Sequence, residues 1–373
     1  MLSPFSYWEN NTYFTNLDLI VIGSGIVGLN AAINYKKAHP LHNVLVVERG
    51  MLPNGASTKN AGFACFGSPS ELLDDLSNYS EQEVFSLVEK RWKGLSELRQ
   101  LLGDANIDFQ NNGGMELFTA DNPSLYESCL DQLSYLNRSL QNIIGNDIYS
   151  IDQNSYGFQN LSGIIKNRFE GQIDTGKMML TLTRYVREQG IHILNNIQVS
   201  GITDESDHVL VHTESVGDLR AGKVIVATNG FAKSLLHIDV EPARAQVLIT
   251  KPLEKVPFQG TFHYDKGYYY FRNIHNRVLF GGGRNLDFKT ENTTDMVTTP
   301  LVMNELERLL KTVILPGTPH EIDYSWVGIM GVGNTKTALV KPYSENVICA
   351  VRMGGMGVAI GALIGKEAAE LLN

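Results

Sequence analysis

The sequence is poor in cysteine and in positive charge. Only Cys65, Cys129 and Cys349 occur in 373 residues, and their wide spacing argues against a disulfide framework and a cysteine-ligated zinc site. The net charge is −9 and no basic run is present, so we do not expect a nucleic-acid partner. We expect three reduced thiols in a cytoplasmic protein, and no bound metal.

The sequence also lacks a long uninterrupted apolar run. Its longest apolar stretch, residues 347–365, contains Arg352 and several glycines, so a transmembrane segment is not expected. The N-terminus has no basic region followed by an apolar core, which predicts no signal peptide. We expect residues 1–16, which are polar and aromatic, to form an arm on the surface.

A glycine-rich turn near the N-terminus is the most informative feature present. The β-branched run Leu19–Ile22 predicts a strand, and it leads into a Gly-X-Gly-X-X-Gly sequence that opens a helix. The three glycines are Gly23, Gly25 and Gly28. In such a unit the first glycine allows the turn, the second lets backbone approach a pyrophosphate, and the third lets the helix pack closely. The helix N-terminus then binds the anion.

A second strand and an acidic residue complete this pattern. Val44–Val47 is apolar, and Glu48 follows twenty residues after Gly28. A carboxylate at this spacing accepts hydrogen bonds from ribose hydroxyls. Because the chain contains 35 glycines, the glycine pattern alone is weak evidence. The strands, helix and acid around it are what predict a dinucleotide site.

Three later segments offer bare backbone to a flat ligand. A loop of small residues spans Gly55–Gly62, and the strand predicted at residues 224–227 runs into Thr228–Gly230. The strand predicted at residues 347–351 is followed by the turn Gly354–Gly357 and a final helix. That helix start adds a second positive dipole end.

The remaining sequence predicts a second domain of mixed α+β type. Its expected elements are a helix that starts at the capping box Ser80–Glu83 and stops at Gly103, a hairpin over residues 107–119, a helix over residues 122–144, an antiparallel pair at 268–272 and 278–284, and a helix over residues 299–313.

Taken in order, these motifs resemble those of the FAD-dependent oxidoreductases that include glycine oxidase, D-amino acid oxidase and sarcosine oxidase. The segments that carry the resemblance are Ile22–Leu29, Glu48-Arg49, Gly55–Gly62, Ala227–Gly230, Tyr269 and Phe271 before Gly281-Gly282, Trp326–Gly328, and Gly354–Val358. The resemblance implies an α/β, Rossmann-like FAD-binding domain interleaved with an α+β, mixed-sheet substrate domain. The FAD-binding domain would use residues 1–80, 160–240 and 325–373, and the substrate domain residues 81–159 and 241–324.

The resemblance also implies contacts with the cofactor. The first glycine turn would hold the pyrophosphate, Glu48 the adenosine ribose, and Val199 the adenine through its backbone. The N–H groups of the last turn would lie near the flavin C2 carbonyl, where a helix N-terminus stabilises developing negative charge. The implied cofactor-binding residues are Gly23, Gly25, Ile26, Val27, Gly28, Glu48, Arg49, Ala56, Ser57, Thr58, Lys59, Asn60, Ala61, Gly62, Val199, Ala227, Gly230, Gly354, Gly355, Met356, Gly357 and Val358.

The chemistry implied is oxidation of a C–H bond next to nitrogen or oxygen, with hydride transfer to flavin N5. The family's counterpart of Tyr269 is a substrate-site tyrosine, and Tyr269 shares a strand face with Phe271. We therefore expect both to face the flavin, and Tyr268 and Tyr270 to pack under a helix. The candidate substrate-site residues are Tyr269, Phe271, Arg284, Arg272, Met330 and Arg352, with Arg284 the candidate partner of a substrate carboxylate.

Three positions depart from the family. Met330 stands about where amino acid oxidases carry a carboxylate-binding arginine, and residues 335–339 replace the usual Asp-Gly-X-Pro. Leu279 falls where sarcosine oxidase has the lysine associated with oxygen activation. The substrate and the electron acceptor therefore stay open, as do the oligomeric state and a covalent link from Cys65, for which a free thiol is the alternative.

The leading hypothesis is an FAD-dependent oxidase or dehydrogenase that acts on an amine or amino acid derivative. One alternative is a dehydrogenase of 2-hydroxy acids or other alcohols, which keeps the flavin and changes the bond. The other is a flavin-binding protein without turnover. A plain NAD dehydrogenase would leave the later glycine turns and the Gly55–Gly62 loop without a use.

Overall fold

The computed structural model describes residues 5–372, which divide into two compact units. Within the described chain, unit 1 contains residues 5–58, Gly176–Ala243 and residues 329–372, and unit 2 contains Lys59–Thr175 and Arg244–Gly328. The chain therefore alternates between the units, each built from distant parts of the sequence. The α/β plus α+β class predicted from the sequence is confirmed.

Unit 1 is organised around an eight-stranded sheet with the order β17-β18-β11-β1-β2-β8, to which β10 and β9 are added beside β11. Strands β2, β1, β11 and β18 run parallel. The residues of β1, β2 and β18 are nearly all buried, which is typical of a parallel sheet covered on both faces. The elements are α1 Tyr7–Glu9, β1 Leu17–Ile22, α2 Ile26–Ala38, β2 Val44–Val47, α3 Ala56–Lys59, α8 Thr175–Glu188, β8 His192–Leu194, β9 Val199–Glu205, β10 His208–Thr213, β11 Leu219–Val226, β17 Leu339–Pro342, β18 Val347–Val351 and α10 Gly357–Glu370.

Helices α2 and α10 of unit 1 cross at close range. A Cβ atom on Gly361 would lie 2.8 Å from Ile26 Cγ2, and one on Gly365 would lie 2.5 Å from the Val27 carbonyl oxygen. Glycine at these two positions lets the helix backbones approach. The packing brings the last helix against the first turn of α2.

Unit 2 is organised around an eight-stranded mixed sheet with the order β16-β12-β15-β14-β13-β4-β6-β5. Its elements, including the two strands β12 and β16 that extend past the unit boundary, are β3 Phe63–Ala64, α4 Pro69–Asn78, α5 Glu81–Leu102, α6 Asp104–Ile107, β4 Gly114–Thr119, α7 Pro123–Leu140, β5 Tyr149–Asp152, β6 Leu161–Asn167, β7 Gly171–Gln172, β12 Glu241–Thr250, β13 Thr261–Tyr264, β14 Tyr269–Ile274, β15 Arg277–Gly282, α9 Pro300–Leu309 and β16 Ile322–Val332. One sheet face packs against α9 around a core rich in phenylalanine.

The boundaries of unit 2 differ from the predicted domain boundaries, and the two longest differences are at residues 59–80 and 160–175. Residues 59–80 and 160–175 belong to unit 2, whereas the resemblance placed them with the FAD-binding domain. Strand β3 pairs with β7, and Phe66 and Leu72 lie in one core with Leu136. These contacts hold both segments in unit 2.

The hairpin predicted over residues 107–119 is wrong. Strand β4 pairs with β6 and with β13 rather than with the segment before it, and helix α6 occupies the start of the predicted hairpin. A Cβ atom on Gly114 would lie 2.0 Å from Glu170 Oε2. This glycine therefore makes room for a buried carboxylate rather than a hairpin turn.

The N-terminal arm contains α1 and a single π-helical turn, Asn10–Phe14. Tyr7 and Trp8 are exposed, in agreement with the surface position expected of this arm; its first four residues lie outside the described chain. Over residues 5–372, every helix is too short or too polar to cross a bilayer.

Candidate active site

The first glycine turn joins β1 to α2. Gly23 has φ +105°, a region that favours glycine, and its N–H donates to the Val47 carbonyl at 2.9 Å. A Cβ atom on Gly28 would lie 2.0 Å from the Gly23 carbonyl oxygen. The third glycine of the motif is thus required for α2 to start directly against the turn.

The start of α2 has the character of an anion site. Gly25 is its N-cap and provides no side-chain cap, and the first N–H groups of a helix have no acceptors within the helix. The Ser57 hydroxyl accepts from the Ile26 N–H at 2.9 Å. This contact brings the small-residue loop to the helix end where the dipole favours negative charge.

Glu48 is buried at the end of β2 and ties two turns together. Its Oε2 accepts from the Ser24 N–H at 3.1 Å and from the Ser24 hydroxyl at 2.9 Å. Its Oε1 accepts from the Gly50 N–H at 3.0 Å. The carboxylate therefore organises the glycine turn, and its predicted contact with a ribose stays a prediction.

Replacing Glu48 with alanine is expected to weaken FAD binding at least tenfold, about 1.4 kcal/mol or more, because the variant loses both the ribose acceptor and the anchor of the turn. Titration of the apoprotein with FAD measures the effect. Ser24→Ala keeps the carboxylate and should weaken binding by less. Equal affinities for Glu48→Ala and the parent protein would remove Glu48 from the cofactor site.

A buried hydroxyl lies beside the same turn. A Cβ atom on Gly23 would lie 2.9 Å from the Ala227 carbonyl oxygen and 3.4 Å from Thr228 Cγ2. Thr228 Oγ1 is buried and has no hydrogen-bond partner within residues 5–372. An unpartnered buried donor is unusual in a folded protein, so this position fits a hydrogen bond to a bound group.

The second glycine-rich helix start contacts Met330. Gly354 and Gly355 have φ +59° and +86° and precede α10. A Cβ atom on Gly355 would lie 3.3 Å from Met330 Sδ. The structure therefore brings Met330 to the predicted flavin turn, as a thioether and not as a charged group.

The hydrogen-bond donors of Arg352, another predicted substrate-site residue, already have partners within unit 1. Its guanidinium pairs with Asp239 and donates to the Thr337 carbonyl at 3.0 Å and the Thr335 hydroxyl at 3.0 Å. Its backbone N–H donates to Asn229 Oδ1 at 3.0 Å. These contacts give Arg352 a structural role in holding the turn before α10, and its predicted contact with the substrate stays a prediction.

Two further predicted cofactor contacts lie near Glu48. The Arg49 guanidinium stacks on the Phe231 ring, 3.7 Å from its centroid, and desolvation lowers the pKa of Arg49 while Glu48 opposes that shift. Val199 begins β9, two residues after the Ile197 N–H donates to the Glu48 carbonyl at 2.9 Å. The chain thus returns to the end of β2 at this point.

Unit 2 holds the remainder of the small-residue loop against its sheet. Ala61 lies in an apolar cluster that includes Leu279 and Val247, with Tyr270 and Trp326 packed against it. The Trp326 indole N–H donates to the Lys59 carbonyl at 2.9 Å. Asn60 Oδ1 accepts from the Gly62 N–H at 2.8 Å, so the loop has a defined backbone path.

The predicted orientation of Tyr269 and Phe271 is wrong. Phe271 is fully buried and stacks on Phe262 at 4.9 Å between ring centroids, and Tyr269 stacks on Tyr264 at 4.8 Å. Both lie in the core beneath α9. Because side chains alternate along a strand, Tyr270 and Arg272 occupy the face that carries Ala61.

Tyr270 is a candidate site residue that the sequence reasoning missed. It pairs in register with Gly281, and a Cβ atom on Gly281 would lie 2.8 Å from the Tyr270 hydroxyl oxygen. The glycine therefore makes room for the tyrosine ring, and a tyrosine opposite a glycine was the available signal. Burial raises the pKa of Tyr270 to about 12, so its hydroxyl stays protonated near neutral pH.

Arg284 lies beyond the end of β15, at the start of a short 3-10 turn. Its Nη2 donates to Asn292 Oδ1 at 2.6 Å, and the guanidinium stacks on Phe288. Its Nε is buried and has no partner within the described chain, and burial lowers the pKa of Arg284. A free donor keeps Arg284 as a candidate for an anionic ligand.

Cys65 follows β3 and is a free, half-buried thiol. Burial, together with Glu170, raises the pKa of Cys65 well above its usual value. The sulfur is therefore held as the neutral thiol, the less nucleophilic form. This setting favours a free thiol over a covalent link to a cofactor.

The comparisons agree with a dinucleotide-binding oxidoreductase. A family model described as FAD dependent oxidoreductase matches residues 18–371. The probable oxidoreductase OrdL of Haemophilus influenzae is 22% identical over 389 residues, covering 97% of this chain and 84% of that protein. Glycine oxidase of Geobacillus kaustophilus is 26% identical over 283 residues, covering 71% of this chain and 69% of that protein.

Solved structures show the same fold. The crystal structure of glycine oxidase from Geobacillus kaustophilus has a TM-score of 0.75 at 20% identity, covering 95% of this chain and 94% of that one. L-proline dehydrogenase from P. horikoshii has a TM-score of 0.71 at 18% identity, covering 96% and 93%. With a family match over nearly its whole length, the chain belongs to the FAD dependent oxidoreductases.

The residues of unit 1 fit this cofactor. A pyrophosphate needs bare backbone at a helix N-terminus, which the Gly23–Gly28 turn provides, and the unpartnered Thr228 hydroxyl is a further donor. The turn before α10 offers a second helix start with two glycines at positive φ. The Ser57 hydroxyl lies at the first of these two helix starts.

Proposed function

We propose that the enzyme oxidises a C–H bond next to nitrogen in an amine or amino acid derivative. Glycine oxidase and L-proline dehydrogenase, whose folds it shares, are named for substrates that contain such a bond. This shared substrate chemistry, together with a fold match over 95% of the chain, is the observation that carries the proposal. The three free thiols support work in a reducing compartment, the cytoplasm.

FAD supplies hydride acceptance at its N5 when it is bound. The residues of the chain itself would bind and orient the cofactor and the substrate. The α2 N-terminus with Ser57 would hold the phosphates, Glu48 the ribose, and the α10 N-terminus the pyrimidine end, where its dipole favours negative charge. Lys59–Gly62 would line the ring.

Tyr270 would contact the substrate from the sheet face of unit 2. Because its hydroxyl stays protonated, it can donate or accept a hydrogen bond but does not serve as a base. Met330 provides an apolar surface beside Gly355. A carboxylate on the substrate is therefore not expected at Met330, and Arg284 is the candidate partner for one.

Replacing Tyr270 with phenylalanine is expected to lower kcat/KM about threefold to tenfold, the effect of losing one hydrogen bond. Steady-state kinetics on the substrate identified below measure it. Tyr269→Phe is the matched control on the same strand, and it should stay within about twofold because that ring lies in the core. Equal effects of the two changes would reject the assignment of Tyr270.

Anaerobic reduction tests the proposed reaction directly. The oxidised holoenzyme is mixed with amines, amino acids and 2-hydroxy acids, and the flavin absorbance is followed. Bleaching by a primary or secondary amine supports the proposal. Bleaching by 2-hydroxy acids alone would contradict the proposal and favour the alternative of an FAD-dependent dehydrogenase of 2-hydroxy acids or other alcohols. If dithionite bleaches the flavin and no compound in the panel does, the result favours the alternative that this is a flavin-binding protein without turnover.

A further inference from the structure

The loop Lys59–Gly62 is held to the sheet of unit 2 through its carbonyl groups. The Trp326 indole N–H donates to the Lys59 carbonyl at 2.9 Å. Arg272 Nη1 donates to the Ala61 carbonyl at 3.2 Å and to the Gly62 carbonyl at 3.0 Å. Three of the four carbonyls of this short segment therefore point toward two side chains. We call Arg272 and Trp326 the carbonyl clamp.

Arg272 reaches these carbonyls from a deeply buried position. Its residue is 5% exposed, Nη1 also donates to the Ile173 carbonyl at 2.7 Å, and Nε donates to the Asn273 carbonyl at 3.2 Å. A Cβ atom on Gly62 would lie 2.5 Å from Arg272 Nη1. Glycine at that position, with φ +73°, lets the guanidinium approach the backbone.

Arg272 makes no salt bridge among residues 5–372; its recorded hydrogen bonds all go to carbonyl oxygens. Burial lowers the pKa of Arg272 to about 10, and the charges of Asp174 and Asp108 oppose that shift. The guanidinium is thus still charged at neutral pH. A buried cation that carbonyl dipoles solvate, without a carboxylate beside it, keeps a positive potential around it.

The clamp also sets the orientation of the peptide groups in the loop. In a trans peptide the C=O and N–H groups point in opposite directions. Because these carbonyls are turned toward Arg272 and Trp326, the N–H groups of the same peptides point away from the clamp.

We propose that Arg272, with Trp326, positions the loop Lys59–Gly62 for the flavin, and that the charge of Arg272 favours the reduced cofactor. The proposal rests on the assignment of this loop to the cofactor, made under the proposed function. It does not depend on which substrate the enzyme oxidises. Arg272 acts through the loop, so it is a positioning residue.

The test measures FAD affinity by titration of apoprotein and the midpoint potential of the bound flavin by dye-mediated reduction. The variants are Arg272→Met, Arg272→Lys and Trp326→Phe. Arg277→Met is the matched control, since Arg277 belongs to the same sheet and donates to the Thr250 carbonyl at 2.8 Å, but pairs with Asp323.

Arg272→Met is expected to weaken FAD binding at least tenfold. It should also lower the preference for reduced over oxidised cofactor about tenfold, which equals a fall of about 30 mV in the two-electron midpoint potential. Arg272→Lys should keep the potential while binding FAD more weakly than the parent. Trp326→Phe should weaken binding about threefold without moving the potential, and Arg277→Met should change neither quantity.

Several results would overturn the proposal. A folded Arg272→Met with the parent's potential would remove the role of the charge, and one with the parent's FAD affinity would remove the positioning role. If Arg272→Met does not fold, Arg272→Lys and Trp326→Phe decide. A fall of the potential in Arg272→Lys, or unchanged affinity in Trp326→Phe, would contradict the proposal. Chemical reduction needs no substrate, so these outcomes are separate from the failure of amine oxidation.

Discussion

Replacing Gly28 with valine is expected to weaken FAD binding at least a hundredfold, about 2.7 kcal/mol. Even a methyl group at this position would lie 2.0 Å from the Gly23 carbonyl oxygen and 3.2 Å from Val21 Cγ1. The turn and the start of α2 must then separate. The helix N–H groups would move away from the phosphates, and hydrogen bonds to a charged group contribute about 1.5–3 kcal/mol each.

The matched control is Gly201→Ala in β9. A Cβ atom there would meet its first neighbour, His212 Cδ2, at 3.5 Å, which is an ordinary contact. Titration of both apoproteins with FAD, with far-ultraviolet circular dichroism to show that each is folded, gives the comparison. If folded Gly28→Val binds FAD as well as Gly201→Ala does, the first glycine turn is not the phosphate site.

Replacing Glu291 with alanine is expected to cost unit 2 about 3–5 kcal/mol of unfolding free energy. Glu291 and Arg244 form an ion pair whose side chains are 1% and 5% exposed, with Nε and Oε2 2.8 Å apart. Gln246 Nε2 donates to both carboxylate oxygens at 2.9 Å. Alanine would leave the buried guanidinium without the carboxylate it pairs with, and Gln246 Nε2 with only the Thr299 hydroxyl as acceptor, at 2.8 Å.

Thermal unfolding with saturating FAD measures this loss, which corresponds to a fall of roughly 10 °C in the melting temperature. The control is Lys233→Ala, which removes the exposed ion pair with Glu241. An exposed pair contributes at most about 1 kcal/mol, so the control should shift the melting temperature by a few degrees at most. Similar shifts in the two variants would show that the Glu291 pair is not a major stabilising contact.

The elements with strong local signals were predictable from the sequence. The capping box at Ser80 begins α5, and Gly103 ends it. The apolar runs before Gly23 and Glu48 are parallel strands β1 and β2. In each case local residue preferences and burial favour the same structure.

Contacts between segments that are far apart in the sequence were harder to predict. Strand β4 pairs with β13, about 150 residues later in the chain, and no local sequence pattern indicates that pairing. The hairpin predicted in its place rested on two asparagines and two glycines that follow each other. One of those glycines, Gly114, serves instead to admit Glu170.

The candidate site shows the same division. The glycine turn and Glu48 followed from spacing, because a helix start and a strand end lie close together by construction. Which side chains of β14 point into the core did not follow from the sequence. Alternation gives two equivalent faces, and only the packing of the core beneath α9 selects one of them. A shift of one residue therefore exchanged Tyr269 for Tyr270.

Binding of one FAD by this chain is measured by the absorption spectrum of the purified protein, followed by denaturation and quantification of the released nucleotide. We expect two visible flavin bands and close to one FAD per chain, with more than tenfold weaker retention in Glu48→Ala. A colourless protein that neither releases flavin nor binds added FAD would contradict the account.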